Sequence, residues 1–410
     1  MSDPRIAYIL NQFPCLTEAF ILREMVQLER RGILIFPCAL VRPGEGPVSP
    51  QADPFLPRST YRPPPASAES ALDWLRACAR WPRGGSSATL LAALHSLRNR
   101  GQAKELCGSL AAACHFASAM RRHGAQHIHA HFGSMPGTVG LLLAEITGLP
   151  LSLSLHARDV FTDESILLPM KLAEAEFAVT CTQAALDRLL RSVPAALHPR
   201  LHLVRHGLDM AEFATVERRP AREPVIAIVG RLVEKKGHEI LLRAVEPLRR
   251  MRARFHVVIA GDGPFREHLE GMAARMGLAS RVTFCRTLSP DEVKQLLAVA
   301  HVLVAPSVVA ADGDRDGLPN VILEAAAVGV PIVASNVSAI PEFVAHGETG
   351  LLVPPGDPRG LASAIESILA DPAHAEALAR RARRRVLADY DGYRNAEALE
   401  ALFRRALAGR

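Results

Sequence analysis

The chain has 410 residues, of which 49% are hydrophobic, so it is long and apolar enough for two domains with separate cores. Its formal charge of +6 favours acidic partners such as nucleotide diphosphates or an anionic membrane surface. Aromatic residues make up only 5%, and no basic run alternates with them, so we expect no binding of nucleic acid.

The cysteines and the apolar runs bear on the compartment. Seven cysteines are scattered without a C-x-x-C pair, which predicts free thiols in a reducing environment. The opening MSDPRIAYIL lacks a basic region followed by a long apolar run, so no secretory signal is expected. No apolar stretch reaches the roughly 18 residues of a spanning helix. These features predict a cytoplasmic protein.

Strands and helices are predicted to alternate through the first half of the chain. A strand over 5–10, a helix over 18–31 and a strand over 33–40 form a β-α-β opening, which is typical of a parallel sheet. Eight prolines within 42–66 predict an irregular connection. A helical pattern then covers 67–123, and the remaining predictions are strands at 127–131, 150–155, 177–180 and 202–204 and a helix over 137–147.

The alternation starts again after a polar segment. Residues 208–224 lack a clear period and are predicted to link a first domain, 1–207, to a second, 225–389. The second domain is predicted to have strands at 225–229, 256–260, 282–284, 301–305 and 331–334 and helices beginning at 237, 264, 290 and 319. A separate amphipathic helix is predicted over 390–410. The fold class is therefore α/β, with two doubly wound units.

An acidic loop joins a strand to a helix in the segment APSVVAADGDRDGLPNVILEAAAVGVPIVAS, residues 305–335. Unpaired N–H groups and the dipole at a helix start favour phosphate. Asp316 lies at this phosphate mouth, and Glu324, about two turns further along, can accept two hydrogen bonds from a sugar diol. The alternative is a helix start with dipole-stabilising acids and no ligand. The helix start is predicted at Gly317, Leu318, Pro319 and Asn320.

Two cations follow the first strand of the second domain. The segment VGRLVEKKGHE, residues 229–239, places Arg231 and Lys236 where open α/β sheets bind ligands. Fixed cations there can stabilise the charge that develops on a pyrophosphate leaving group. The alternative is a solvated basic loop. After the next strand, Gly263 in the turn GDGP either allows a nucleotide to approach the backbone or serves a tight turn.

Histidines mark the strand ends of the first domain. His156 follows the strand at 150–155, where it can bond a sugar hydroxyl or be structural, and Asp159 is either a ligand contact or a helix cap. His129 and His131 share one face of a strand, but a third ligand at metal-site spacing is missing. We therefore expect packing or acceptor contact from these two, and no metal.

Asp316 and Glu324, with seven residues between them, resemble the acidic-x7-acidic signature of retaining family 4 glycosyltransferases, where the first acid is usually Glu. The likeness is strong over 225–355 and looser before His127. It implies the GT-B fold, in which two doubly wound Rossmann-like domains face a central cleft. It also implies metal-independent, retaining transfer of a hexose from a UDP or GDP sugar. The opening loop and the string DGLPNVILEAAAVGVPIVAS resemble exopolysaccharide enzymes of the colanic acid and amylovoran type.

The resemblance also implies roles for individual residues. The first domain would bind the acceptor, the second would bind the nucleotide sugar as co-substrate with no further cofactor, and the helix at 390–410 would pack back on the first domain. Glu18, on the opening loop, would approach the acceptor or be an ordinary first-turn acid. The remaining assignments are the diphosphate to Arg231, Lys236 and the helix start at Gly317, the ribose to Glu324, the transferred sugar to Asp316 and His156, and the base to Arg286.

A basic amphipathic stretch suggests a further partner. Apolar residues from Leu72 to Leu97 lie among arginines, a pattern that suits an anionic membrane surface and a lipid-linked glycan acceptor, or else core packing with a solvated basic face. Peripheral contact with the inner membrane face would follow.

Other classes of protein remain open. They are a metal-dependent transferase using Asp312, Asp314 or Asp316, a dehydrogenase, a transferase acting on a soluble small molecule, and a nucleotide-sugar-binding protein without activity.

Overall fold

The computed structural model describes residues 3–44, 48–64, 67–162, 166–250 and 254–408. The chain divides into two compact units. Unit 1 comprises the residues up to Cys181, residues 185–205 and the last residues from Asn395. Unit 2 comprises Thr182–Ala184 and His206–Arg394. None of the described helices combines the length and the apolarity that a membrane crossing needs.

Unit 1 is built on a seven-stranded sheet in which every strand pair is parallel, in the order β3-β2-β1-β4-β5-β6-β7. The strand order reverses between β1 and β4, the kind of position where open α/β sheets bind ligands. The strands are β1 Arg5–Gln12, β2 Leu34–Val41, β3 Thr60–Tyr61, β4 His127–His131, β5 Leu151–Leu155, β6 Ala175–Thr180 and β7 Leu201–Leu203.

The helices of unit 1 connect these strands. They are α1 Ala19–Arg30, α2 Ala68–Arg80, α3 Pro82–Arg98, α4 Ala103–His123, α5 Met135–Thr147, α6 Ala157–Phe161, α7 Leu168–Glu174 and α8 Gln183–Ser192. The final helix, α16 Gly392–Ala408, adds apolar side chains to this unit. Leu399, Leu402 and Phe403 are buried with Ile6 and Phe177 in one hydrophobic cluster. The core of unit 1 therefore joins the first strand of the chain to its last helix.

Unit 2 repeats the arrangement with six parallel strands in the order β10-β9-β8-β11-β12-β13. Its order reverses between β8 and β11. The strands are β8 Val225–Val229, β9 His256–Ala260, β10 Val282–Cys285, β11 Val302–Ala305, β12 Ile332–Ser335 and β13 Leu351–Val353, and the helices are α9 Met210–Ala214, α10 His238–Arg250, α11 Arg266–Arg275, α12 Pro290–Val299, α13 Asn320–Val328, α14 Pro358–Ala370 and α15 Pro372–Asp389.

The structure differs from the sequence predictions in a few elements. The predicted linker, 208–224, contains α9, and Leu208 and Phe213 are buried in the core of unit 2, so the whole segment belongs to that unit. Strand β3 lies in the segment predicted to be irregular, and β13 and the helices α14 and α15 were not predicted. The two strands escaped because β3 and β13 are only two and three residues long, too short for an alternating pattern.

Candidate functional site

The loops at the carboxyl edge of the unit 2 sheet pack backbone against backbone. Gly230 donates its N–H to Ala260 O at 2.9 Å, and Leu232 donates to Asp262 O at 2.9 Å. A Cβ added to Gly261 would lie 1.9 Å from Gly230 O, so this position needs glycine. Close loop packing thus accounts for the glycines of the GDGP turn.

Gly263 and Arg286, both predicted to contact the nucleotide, lie on the loops after β9 and β10. A Cβ on Gly263 would lie 2.5 Å from Leu232 O, which favours the tight-turn explanation. The Arg286 side chain is 85% exposed, and its guanidinium lies 3.5 Å from an Asp262 carboxylate oxygen. Arg266 was missed by the sequence analysis, although it donates to the carbonyls of Gly261 and Cys285, at 2.7 and 2.6 Å, and so joins these two loops.

Lys236 and Asp316, which the sequence assigned to the diphosphate and to the sugar, form an ion pair. Lys236 Nζ lies 2.8 Å from Asp316 Oδ2, with side chains 20% and 12% exposed. Ser307, which is buried, adds a hydrogen bond to Asp316 Oδ2 at 3.3 Å. The Lys236 stem lies along Gly230, where a Cβ would come within 3.2 Å of Lys236 Cε. The two groups therefore lie together at the carboxyl edge of the sheet.

The other cations of the segment after β8 differ in their contacts. Lys235 Nζ lies 3.0 Å from Asp314 Oδ2 and 3.8 Å from Asp316 Oδ1. Arg231 is exposed, and its side chain has no ion pair with the part of the chain that the structure describes. An exposed guanidinium without a carboxylate partner can bind an anionic ligand without first breaking an ion pair.

The metal-dependent alternative required the aspartates of the acidic loop to gather around one cation position. Asp312 instead accepts the N–H of Asp314 at 2.9 Å, and the carboxylates of Asp314 and Asp316 face lysines. No cluster of three metal-ligating side chains among the described residues includes these aspartates. At this edge, lysine side chains supply the positive charge next to the acids.

Helix α13 begins at Asn320, within the predicted GLPN run and one residue after the start predicted at 319. Pro319 is the N-cap residue, with ψ 127°, and no side chain caps the helix. The half-buried Gly317 and Leu318 precede it. Glu324 lies just over one turn into the helix and is half-buried, closer to the start than predicted. Uncapped N–H groups at a helix start favour an anion.

His238, the first residue of α10, is a member of this region that sequence reasoning missed. The side chain is 3% exposed, and both ring nitrogens are buried without a hydrogen-bond partner among the described residues. Burial, and next the charge of Lys236, lower the pKa of His238 from 6.5 to about 4, while Asp316 acts in the opposite direction. The imidazole is therefore neutral beside the Lys236–Asp316 pair. Its position after KKG was the only signal in the sequence.

In unit 1, His156 directly follows β5 and is 8% exposed. His156 and Asp159 form a capping box at the start of α6, in which Asp159 Oδ2 accepts the N–H of His156 at 2.9 Å. Asp159 Oδ1 accepts the N–H of Ser134 at 3.2 Å, so this buried acid also holds the loop after β4. The helix-cap explanation for Asp159 agrees with these contacts.

The same loop is held by a buried lysine that the sequence did not single out. Lys171 is fully buried, and its Nζ donates to the carbonyls of Gly133 and Ser134. Burial lowers the pKa of Lys171 from 10.5 to about 7, with Glu105 and Asp159 opposing this change. Lys171 and Asp159 therefore bind the loop 132–134 through its carbonyl and N–H groups.

The histidines of β4 do have a third group beside them, contrary to the sequence prediction. A carboxylate oxygen of Glu24, on α1, and ring nitrogens of His129 and His131 all lie within 4.8 Å of one another, close enough to share a metal ion. In the structure, however, both nitrogens of His129 bond serine hydroxyls, Ser152 at 2.7 Å and Ser154 at 2.9 Å. Burial first, and then the neighbouring histidines, lower the pKa of His129 well below 6.5. The arrangement is a buried hydrogen-bond network around a neutral His129.

Glu18, which the sequence analysis singled out, and one polar cluster that it did not lie elsewhere in unit 1. Glu18 is the N-cap residue of α1, and its side chain makes no cap bond. A second mixed cluster, Glu69, Asp73 and His115, lies between α2 and α4, where His115 Nδ1 is 2.7 Å from Asp73 Oδ2. Arg76 also forms an ion pair with Asp73, at 3.2 Å, so this acid already has two partners.

Two parallel α/β units of this strand order define a GT-B fold, as the sequence predicted. Residues 209–385 match the family described as Glycosyl transferases group 1, so this part of the chain is a group 1 glycosyl transferase domain. A sucrose-phosphate synthase from Thermosynechococcus elongatus superposes with a TM-score of 0.72 at 20% identity, covering 99% of this chain and 100% of that one. Anabaena HepE, in complex with UDP-glucose, superposes with 0.71 at 18% identity over 97% and 99%.

Curated relatives agree with the resemblance seen in the sequence. The chain is 31% identical over 280 residues to a glycogen synthase of Mycobacterium tuberculosis, covering 64% of this chain and 65% of the relative. It is 37% identical over 182 residues to a GDP-mannose-dependent mannosyltransferase acting on phosphatidylinositol monomannoside from Mycolicibacterium smegmatis, covering 42% and 48%. It is 34% identical over 197 residues to the putative colanic acid glycosyltransferase WcaL of Escherichia coli, covering 47% and 48%. The chain thus matches between about half and just under two thirds of each relative.

Proposed function

We propose that this protein is a glycosyltransferase that moves a hexose, with retention, from a UDP or GDP sugar to a hydroxyl acceptor in exopolysaccharide or other cell-surface glycan synthesis. The observation that carries the proposal is the Lys236–Asp316 pair in a group 1 glycosyl transferase domain, on loops at the carboxyl edge of its sheet. One neighbour in fold was solved with UDP-glucose, and one relative is named for GDP-mannose, which is why both bases are proposed.

The pair gives the donor site a simple chemistry. A diphosphate carries more charge than one carboxylate, so it can draw Lys236 away from Asp316 and leave the acid's oxygens for sugar hydroxyls. Arg231 and the uncapped start of α13, with Gly317, Leu318 and Asn320, add donors for the phosphates. As the bond to the sugar breaks, these fixed charges stabilise the leaving diphosphate. Glu324 accepts hydrogen bonds from the ribose hydroxyls, and Gly263 and Arg286 lie near the base.

We propose that unit 1 binds the acceptor. In this proposal His156 contacts the transferred sugar, and Asp159 and Glu18 lie near the substrates. A dehydrogenase is not supported, because the unit 1 sheet has no G-x-G-x-x-G after its first strand. A binding protein without activity remains the second candidate, since Asp316 stands where the family usually has Glu, and it would bind the nucleotide without turnover. A soluble small acceptor would differ from a glycan only in the second substrate.

The decisive experiment measures nucleotide binding and sugar release together. Thermal shift with UDP, GDP, ADP and NAD, with and without magnesium, identifies the base, because a ligand at 100 times its Kd adds about 2.7 kcal/mol to the free energy of unfolding. Release of UDP or GDP from nucleotide sugars then measures turnover, and the anomeric configuration of the product tests retention. Stabilisation by NAD alone would contradict the proposal, and binding without release would favour the second candidate.

Lys236→Ala tests the donor site directly. We expect weaker nucleotide binding and slower release together, because the variant loses the diphosphate's cation and leaves Asp316 to repel the ligand. Lys294→Ala is the matched control, since Lys294 is also ion-paired and its side chain is 18% exposed against 20% for Lys236. Equal kinetics for Lys236→Ala and the control would remove Lys236 from the site.

Glu324→Gln should weaken nucleotide affinity by about tenfold, the equivalent of one good hydrogen bond.

The surface of α2 and α3 supports a lipid-linked acceptor at the inner membrane face. Apolar side chains are exposed there, including Leu75 at 55% and Leu97 at 76%, rather than packed in the core. The surrounding exposed arginines suit anionic headgroups; they are Arg76, Arg80, Arg83, Arg98 and Arg100. We expect binding to anionic vesicles, lost when Leu75 and Leu97 are both changed to Ser and kept in Leu387→Ser, an exposed leucine of unit 2. Vesicle binding unaffected by the double change would exclude this surface.

A further inference from the structure

A chain of hydrogen bonds runs through the interior of unit 1 and ends at His156. The hydroxyl of Tyr8, on β1, donates to Glu24 Oε1 at 2.8 Å. His131 Nε2, on β4, lies 3.1 Å from the same carboxylate oxygen, and His131 Nδ1 lies 3.4 Å from His156 Nε2. Tyr8 and His131 are fully buried. Four segments that are distant in sequence therefore meet in one polar line.

The proton positions along this line are determined at both ends. A carboxylate only accepts, so the Nε2 atom of His131 that faces Glu24 carries a proton. At the other end, the capping box directs the N–H of Asp159 to the side chain of His156. A backbone N–H only donates, so the His156 nitrogen left to receive it, Nδ1, has no proton.

One assignment of the protons satisfies all the bonds just described. His131 is neutral with its proton on Nε2, and His156 is neutral with its proton on Nε2, which it donates to His131 Nδ1. A second proton on His131 would place two N–H groups face to face across the 3.4 Å contact. Each ring thus determines the tautomer of the next.

The aromatic neighbours of His156 keep the ring in this orientation. Phe132 and Phe20 have ring centroids 4.4 and 5.0 Å from that of His156, and the His131 ring stacks on it at 5.7 Å with an 18° interplanar angle. The ring is therefore held on several sides by packing.

We propose that Glu24 and His131 are positioning residues that hold His156 as a neutral imidazole with its proton on Nε2, so that it offers a ligand a hydrogen-bond donor and never an acceptor. The 3.4 Å contact to His131 is long for a hydrogen bond, so the Nε2–H can turn to a stronger acceptor such as a carbohydrate oxygen. The carbohydrate rests on the proposed function, whereas the tautomer does not.

The test reads the tautomer directly by NMR on the full chain labelled with ¹⁵N in its histidine rings. A protonated and an unprotonated ring nitrogen have well separated shifts, and His156→Gln identifies the His156 signals by their loss. We expect one neutral His156 species, with Nδ1 unprotonated and Nε2 protonated. A proton on Nδ1, or a cationic ring at neutral pH, would overturn the proposal.

Variants of α1 test whether Glu24 sets this state. Glu24→Ala removes the carboxylate that orients His131, so we expect His156 signals of the second tautomer to appear. Glu24→Gln can still turn an amide oxygen to His131 and should restore the single species. Glu29→Ala is the control, because Glu29 lies on the same helix but bonds Arg58. Unchanged His156 signals in Glu24→Ala would overturn the proposal. If Glu24→Ala fails to fold, the tautomer in the unmodified chain still decides.

The outcome is separable from that of the proposed function. If the tautomer is found and depends on Glu24 while no sugar is transferred, the positioning role stands and the proposed function fails. If sugar is transferred and His156 carries its proton on Nδ1, the positioning role fails alone.

Discussion

The carboxyl edges of the two sheets are held together by different interactions. In unit 2 the loops meet through glycine backbone contacts and through ion pairs between neighbouring segments, such as Lys236 with Asp316. In unit 1 neighbouring strands are joined by buried side chains that make hydrogen bonds; these include His127 at the start of β4, His129 in its middle and His131 at its carboxyl end. The unit 2 edge depends on glycines that let backbones touch and on ion pairs at its surface. The unit 1 edge depends on hydrogen bonds between buried polar side chains.

The two units are therefore destabilised by different kinds of substitution. Backbone packing in unit 2 tolerates no Cβ where two loops touch, but its surface charges can exchange partners with a ligand. The network in unit 1 has few free partners, so removing one member leaves another buried polar atom unsatisfied. Unit 2 is thus suited to bind an anion, and unit 1 to hold one fixed geometry.

Gly237→Ala should have the largest effect on the unit 2 edge. Gly237 has φ +67°, and a Cβ there would lie 1.9 Å from Pro306 O. We expect a loss of about 4 kcal/mol in the free energy of unfolding, from the left-handed conformation and the overpacking together. Gly329→Ala is the control, because Gly329 has φ +88° but nothing within 4 Å of an added Cβ, so it should lose about 1 kcal/mol. Equal losses in denaturant unfolding would contradict the packing argument.

Acid should destabilise unit 2 through His238. The pKa of its imidazole falls from 6.5 in the unfolded chain to about 4 in the folded one. Between these values the unfolded chain binds more protons, so stability decreases as the pH falls through that window, by roughly 3 kcal/mol. His238→Phe should remove this decrease, and His374→Phe, at an exposed position, should not. If the free energy of unfolding fell by the same amount between pH 7 and pH 4 in the unmodified chain and in His238→Phe, the assignment to His238 would be wrong.

Ser152→Ala tests the network of unit 1. The hydroxyl of Ser152 lies 2.7 Å from both His127 Nε2 and His129 Nδ1. Its removal should cost about 2 kcal/mol, since two buried ring nitrogens lose a partner. Ser192→Ala, at an exposed position, should change stability by less than about 0.5 kcal/mol. A similar small change in both variants would show that the network adjusts more freely than its geometry indicates.

Arg286→Ala should have the smallest effect on stability. The side chain is 85% exposed and its contact with Asp262 is 3.5 Å long, so we expect the melting temperature to shift by less than about 2 °C. Arg266→Ala should lower it further, because that guanidinium donates to the carbonyls after β9 and β10. The reverse order would mean that Arg286 supports the edge in solution.

The sequence was most informative about unit 2, because its signals are local. Lys236, Gly237 and the acidic loop lie within short segments that follow strands, and strand order then brings Lys236 to Asp316. Both sheets were predictable from alternation, whereas β3 and β13 were too short to detect. The predicted linker failed because two apolar residues, Leu208 and Phe213, gave no period although the fold buries both.

Unit 1 was less readable because its contacts join remote residues. Glu24 lies 107 positions from His131, and no spacing rule connects a helix acid with a strand histidine across that distance. His238 presents a different difficulty, because nothing in a sequence marks a buried ring whose nitrogens find no partner among the residues that the structure describes. Side-chain pairing of this kind becomes visible only after the fold is known.

The last helix affects the order in which the protein can fold as it is synthesised. Domains made first usually fold first, while the rest of the chain is still being translated. Here the core around Ile6 and Phe177 is completed by Leu399, Leu402 and Phe403 of α16, which follow unit 2 in the chain. Unit 1 can therefore complete this core only after unit 2 has been synthesised, and a product truncated before α16 would lack part of the unit 1 core.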